Sequence, residues 1–296
     1  MNRHLLLLIF CLCCTQARAQ YVTNLTLLKN QFLTGEPVVA EVTITNRSGA
    51  DVIVGGHGSR DWLQFEITDS DGRMLSPVTI GSETPITMKA GGTTKHKVEI
   101  SGGYSTSSLG TFGIVANVLH PVSGQFYSSN RARMTITDSK PNMFDQPFGV
   151  PQGFPGAGRQ RRYQVILFRE LDDLQLYFRL TDDRTGAYLG TSLLGPAMMA
   201  VQPQISIDVH NKLHILFLAQ PHIFCHAVVN PDGKISKRSY YRDTEGSRPS
   251  MVMTPNGAEI IGGEFFDPTA PPAKKKSMHK ASDRPRDLGL VPKEKK

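Results

Sequence analysis

The chain has 296 residues, 33 Lys and Arg against 26 Asp and Glu, a formal charge of +7 and four cysteines. That length buries a sizeable core unaided, and Cys11, Cys13 and Cys14 crowd into the first 14 residues, which excludes a disulfide-stapled miniature fold. Nucleic acid is excluded as a partner by where the charge lies: residues 268–296 carry nine Lys and Arg against three Asp and Glu and no aromatic side chain to stack on bases, while the rest is nearly neutral.

Residues 1–19 read as a signal peptide. Arg3 and His4 precede the apolar run Leu5 to Cys14, and Ala17-Arg18-Ala19 puts small residues at the positions that decide cleavage, so the cut is expected after Ala19. The apolar run is about 10 residues, half of what a helix needs to cross a bilayer, so no transmembrane segment is expected after cleavage. A lipoprotein would carry a small residue before Cys13 or Cys14, where Leu12 and Cys13 stand. The mature protein is therefore expected to be secreted or periplasmic. Cys225 is its single thiol, a small buried hydrophobe in Ile223-Phe224-Cys225.

Residues 20–138 show the period-two pattern of half-buried strands. Val38, Ala40, Val42 and Ile44 alternate with Glu41, Thr43 and Thr45; Leu63, Phe65 and Ile67 alternate with Gln64, Glu66 and Thr68; Phe112, Ile114, Ala116 and Val118 form a third row. About eight such strands over this stretch predict a two-sheet sandwich, with turns at Asn46-Arg47-Ser48-Gly49 and Asp69-Ser70-Asp71-Gly72. The stretch from Thr34-Gly35-Glu36-Pro37-Val38 to Asn46, followed by Phe65-Glu66-Ile67-Thr68-Asp69, resembles the opening strands of bacterial immunoglobulin-like and macroglobulin-like sandwiches, including the BsuPI-type proteinase-inhibitor domain. Gly110-Thr111-Phe112 sits where such domains place a Gly-x-Tyr corner, although Phe112 lacks the hydroxyl. The resemblance implies an Ig-like β-sandwich, and as a function it implies inhibition of a proteinase.

Residues 139–162 hold four prolines and four glycines in their first twenty positions and are expected to form a linker without strand or helix, from which Phe144, Phe148 and Phe154 dock on a neighbour. Residues 163–267 contain an internal repeat. Leu176-Tyr177-Phe178, ending at Thr185-Gly186, corresponds to Ile223-Phe224-Cys225, ending at Asp232-Gly233; Pro203 to Ile207 before Lys212-Leu213-His214 corresponds to Pro249 to Met253 before Ala258-Glu259-Ile260. A period of about 46 residues with some four short strands suggests propeller blades. The segment resembles repeats of secreted bacterial propeller-like proteins. Two copies fit where a closed ring needs about four or more, so either the domain is a small open assembly or a homo-oligomer completes a ring. Residues 268–296 are expected to be a disordered basic tail drawn to anionic surfaces.

Histidines 210, 214, 222 and 226 surround Cys225. His214, His222 and His226 are the candidate metal ligands: on a strand His222 and His226 share a face opposite Cys225, and a turn at Gln220-Pro221 brings His214 opposite His226, a set that would suit zinc or copper if a carboxylate joined it. No His-Glu-x-x-His or Cys-x-x-Cys pair accompanies them, so no cofactor or metal is assigned. In Gly55-Gly56-His57-Gly58-Ser59-Arg60-Asp61 the residues of a hydrolytic triad sit side by side, whereas triad members converge from distant parts of a chain. His57, Arg60 and Trp62 are instead the candidate binding patch, with an inward-facing Trp62 as the competing reading. Asp172-Asp173 and Asp182-Asp183 read as turn acids rather than a glycosidase pair, and Asn24-Leu25-Thr26 and Asn46-Arg47-Ser48 are glycosylation sequons.

The sequence thus predicts an all-β protein: an Ig-like sandwich and a small propeller-blade-like repeat domain, flanked by a signal peptide and a basic tail. The functional expectation is a non-enzymatic protein that binds a protein or glycan at the cell envelope. Its alternatives are a proteinase inhibitor acting through the sandwich and a metal-dependent enzyme using His210 to His226.

Overall fold

A computed structural model describes residues 20–55, 61–79, 85–101, 109–170 and 172–269. The expected signal peptide, His57, Arg60 and nearly all of the basic tail lie outside these residues. The described chain is all-β, with no α-helix.

The first part runs through β1 (Tyr21–Leu27), β2 (Gln31–Leu33), β3 (Val39–Asn46), β4 (Val52–Val54), β5 (Leu63–Thr68), β6 (Met74–Thr79), β7 (Ile86–Met88), β8 (Thr93–Glu99), β9 (Gly110–Leu119), β10 (Phe126–Ser128) and β11 (Ala132–Thr137). One sheet has the order β1-β3-β8, a second β2-β11-β9-β5-β6 with β10 also on β9, and β4 pairs with β7. The inward rows from the two main sheets meet in one core that includes Val42 and Ile44 from β3, Phe65 and Ile67 from β5, and Ile114 and Ala116 from β9. Alternation makes this possible, since the period of two sends every second side chain to the same face. The described strands number eleven rather than about eight; β2, β4, β7 and β10 are three-residue pieces too short to show a period. Both expected turns are present. Asp69 accepts N–H bonds from Asp71 and Arg73, Asn46 accepts from Ser48, and Gly72 and Gly49 take positive φ.

Trp62 faces inward, the competing reading of its sequence, and so drops out of the candidate binding patch. It is 3% exposed, packs within this core, and has its ring 5.3 Å from that of His96.

The second part comprises β12 (Phe144–Gly149), β13 (Gln160–Glu170), β14 (Asp173–Asp182), β15 (Tyr188–Pro196), β16 (Gln204–Ile207), β17 (Leu213–Gln220), β18 (Ile223–Val229), β19 (Ile235–Arg242), β20 (Ser250–Thr254), β21 (Gly257–Ile261) and β22 (Glu264–Phe266). β12 and the start of β13 overturn the expectation of an unstructured linker. β12 lies at the edge of its sheet, so the missing N–H of Pro147 costs little there, and Phe148 stacks on Tyr163 with ring centroids 3.9 Å apart. Phe144 and Phe154 pack against the same core, as expected of them.

β12-β13-β14-β15 and β16-β17-β18-β19 are consecutive antiparallel meanders, and β22 adds to the outer edge of β19. Val165 and Phe178 from the first meander share a core with Ile215, Phe217, Cys225 and Ala227 from the second. The hairpin β20-β21 covers the opposite face of the second meander, where Met251 and Ile260 pack on Leu216, Leu218 and Phe224. The small sheets are therefore arranged as in a propeller. The repeat has a structural counterpart, since β16-β17 and β20-β21 are the equivalent hairpins, and the third copy stops after two strands.

Candidate functional site

Two polar clusters and three clefts deserve comparison as sites. The first cluster contains two of the three expected metal ligands. His214 on β17 and His226 on β18 face the β20-β21 hairpin, with His214 Nδ1 and His226 Nε2 3.2 Å apart and His214 Nε2 3.0 Å from Asp208 Oδ2. Asp208 is fixed by the β16-β17 turn, where its other oxygen accepts the N–H groups of His210 and Lys212. A carboxylate only accepts, so His214 donates from Nε2 to Asp208, and in the neutral imidazole this leaves Nδ1 as the acceptor for the N–H of His226 Nε2. Burial, then His214 and Lys237, push His226 down to about 4, which makes it a neutral donor near pH 7. Among the described residues its buried Nδ1 has no hydrogen-bond partner.

His222 does not join them. It occupies the turn before β18 with φ 64°, points to solvent and pairs with Asp243 at 2.8 Å. His210 is exposed in the β16-β17 turn. The strand periodicity that placed His222 beside His226 fails because the strand begins one residue later. Among the described residues no three His, Cys, Asp or Glu side chains form a metal-holding group. Cys225 lies on the other face of β18, where burial raises its thiol to about 11, far from a reactive thiolate.

The second cluster ties the first part of the chain to the second. Lys29 reaches Glu36 at 2.7 Å, Glu170 at 2.6 Å and the Tyr177 hydroxyl at 2.6 Å, and Tyr177 in turn donates to Glu170. Burial is the largest influence on Glu36 and lifts its carboxyl above the ordinary range against the pull of Lys29. Leu33, Ile166 and Tyr177 form an apolar knot beside it. A few residues away, Arg179 is 2% exposed yet fully engaged: Nη2 meets Asp138 at 2.9 Å, Nη1 the Ser139 carbonyl at 3.2 Å, and Nε the Thr191 hydroxyl at 3.2 Å. Thr191 closes the joint by donating its hydroxyl to the Thr34 carbonyl and its N–H to the Gly35 carbonyl.

A polar cleft of about 250 Å³ opens beside this joint, lined by Asp138, Lys140, Arg162, Gln164, Arg179 and Tyr188 among others. It shares Asp182 and Asp183 with a broader depression of about 580 Å³ that Arg159 and Arg184 border. The Arg179 guanidinium sits over the Tyr188 ring, 4.6 Å from its centroid, and Tyr188 donates to Asp138, so an aromatic face, charges and hydroxyl-sized donors and acceptors converge. Arg162 is held by Asp145 at 2.8 Å and Asp183 at 2.9 Å. Asp182 accepts three bonds within its own turn, two of them from Thr185, which makes it the turn acid the sequence suggested. A third cleft, of about 290 Å³, is apolar and lies over Cys225, Phe217 and Tyr240.

None of the joint residues was a candidate from sequence, because Lys29 and Glu170 are separated by 141 positions and no local spacing relates them. A signal was present in Arg179, a lone charge inside the apolar run Leu176-Tyr177-Phe178-Arg179-Leu180. Of the two sequons, Asn24 is exposed, whereas Asn46 is fully buried with its amide bonded to Ala50 and Met88, so the folded chain does not offer it for modification.

No family model matches this chain, and no curated protein matches it. Among solved structures it is similar to Spo0M, a sporulation control protein from Bacillus subtilis, at 10% identity over 57% of this chain and 83% of that one, with a TM-score of 0.29.

Proposed function

We propose that this chain is an exported, non-enzymatic binding protein that engages a protein or glycan at the cell envelope, with the polar cleft beside the joint as its contact site. The proposal includes cleavage after Ala19, release to the periplasm or the medium, and an Ig-like, BsuPI-type character for residues 20–138.

One observation carries it: the cleft gathers an aromatic face, paired charges and uncommitted polar groups at a place where both parts of the chain are locked together. A rigid wall of this kind suits recognition, because a preorganised site loses little entropy when its ligand binds. Arg162 and Arg179 are committed to carboxylates, an arrangement that holds shape rather than poising a proton for transfer. Lys140 and Tyr188 are the groups a ligand would meet first, since both are exposed at the mouth.

The test is binding of the mature chain to purified envelope glycans and envelope proteins, with the mass of its N-terminus recorded. Lys140→Ala combined with Tyr188→Ala is expected to weaken capture by about tenfold or more, the loss of roughly one good polar and one aromatic contact. Capture that the double variant leaves unchanged would remove the cleft as the contact site, and absence of any capture would remove the binding role.

A further inference from the structure

The blade repeat breaks off halfway, and it does so by construction. β12-β15 has four strands and β16-β19 has four with β22 added, but β20-β21 has two, and among the described strands β21 bonds to β20 alone. The chain leaves β21 through Gly262 and Gly263, at φ 73° and 69°. A Cβ at Gly262 would sit 2.6 Å from the Arg248 carbonyl oxygen, and one at Gly263 2.5 Å from Pro249 Cγ. Only glycine makes this turn, which sends the chain back to β22 on the edge of β19 instead of onward into a third strand.

What remains is an unpaired edge, Gly257–Ile261, without proline and with one charge, Glu259. Natural sheets usually blunt such edges. Here Val252 and Ile261 leave 41% and 54% of their surface exposed on the hairpin.

We infer that β21 is the docking edge for β21 of a second copy of this chain, so that two half-blades join into one four-stranded blade. An antiparallel strand paired with itself is isologous and closes at two copies, and two plus two strands restore the count of the complete meanders. A pairing centred on Ile260 sets Glu259 against the partner's Ile261, which keeps the two carboxylates from facing one another. The chain's own residues 270–296 are the poorer occupant. They contain a single β-branched residue, Val291, together with four prolines and nine Lys and Arg. Centred on Ile260, the pairing runs from Glu259 to Ile261 within the strand, a seam that buries less than the roughly 1,000 Å² of a stable interface, so the association is expected in the micromolar range. It is independent of what the polar cleft binds.

Sedimentation equilibrium of the mature full-length chain between about 1 and about 100 µM is expected to show a reversible monomer–dimer equilibrium. Ile261→Lys, at an exposed position, should raise the dissociation constant by about tenfold or more without changing the circular dichroism. In a Cys225→Ser background, Ile260→Cys should form a covalent dimer on oxidation, because directly opposed strand residues lie within disulfide reach. A chain that stays monomeric throughout would overturn the inference. So would a dimer that ignores Ile261→Lys and gives no crosslink, or assembly into larger species.

Discussion

Arg179 at the joint is 2% exposed, and a carboxylate, a carbonyl and a hydroxyl surround its guanidinium. His226 beneath the half-blade is 4% exposed and gives its charge up, because burial disfavours the cation and a second imidazole and Lys237 add to that effect. Asp208, the one acid nearby, is spent on His214. Both groups are buried, and the guanidinium has a carboxylate beside it while the His226 imidazole meets another imidazole. The joint is therefore sensitive to removal of a partner, and His226 to acid.

The sharpest way to break that contrast is Asp138→Ala. It strands Arg179 in the joint without its counter-ion and is expected to cost about 3–5 kcal/mol, read as a lower urea midpoint. Arg179→Met should cost less, since Asp138 is partly solvated and keeps the Tyr188 hydroxyl and the Ser139 N–H. Equal losses from the two variants would mean that cavity and packing effects, not the stranded charge, dominate there.

Acid tests the other half of the comparison. His226 sits near 4 in the folded protein against the ordinary value of 6.5, so the unfolded chain binds the proton first. Its contribution is whole above pH 6.5 and is lost as the pH falls through the window down to about 4, a loss on the order of 3 kcal/mol. His226→Phe should flatten that part of the stability curve measured by urea unfolding at pH 7, 5.5 and 4.5. An unchanged slope would place the acid sensitivity in other groups.

What could be read from the sequence follows the range of the forces involved. The rows Val38 to Ile44, Leu63 to Ile67 and Phe112 to Val118 were legible because a strand buries every second residue, and they are buried as expected. The half-blade could be seen as a repeat, because Pro203 to Ile207 and Pro249 to Met253 obey the same packing rule. β12 was hidden, since Pro147 and Gly149 signal a breaker and only an edge position makes them harmless. His214 and His226 were placed together correctly because the short turn fixes the pairing of β17 with β18, while His222 was lost to that same turn. The joint and its cleft were not legible at all. They arise where two independently patterned parts meet, and alternation within a strand says nothing about which charged side chain faces across such a boundary.

Gly35 gives the finest probe of the joint, because it changes geometry and leaves every charge in place. It has φ 79°, donates no side chain, and a Cβ there would approach the Thr191 hydroxyl to 3.1 Å, the same hydroxyl that bonds Thr34 and Arg179. Gly35→Ala combines left-handed strain with that close approach, and about 1–2 kcal/mol of destabilisation is expected. Thr191→Ser tests the origin of the loss, since it keeps the hydroxyl and removes only the methyl. If the hydroxyl network holds the two parts together, Thr191→Ser should stay close to the parent while Thr191→Ala approaches or exceeds Gly35→Ala in the urea midpoint. If Thr191→Ala is neutral, the joint is held by Lys29, Glu170 and the apolar knot around Tyr177, and the strain at Gly35 is the whole of its effect.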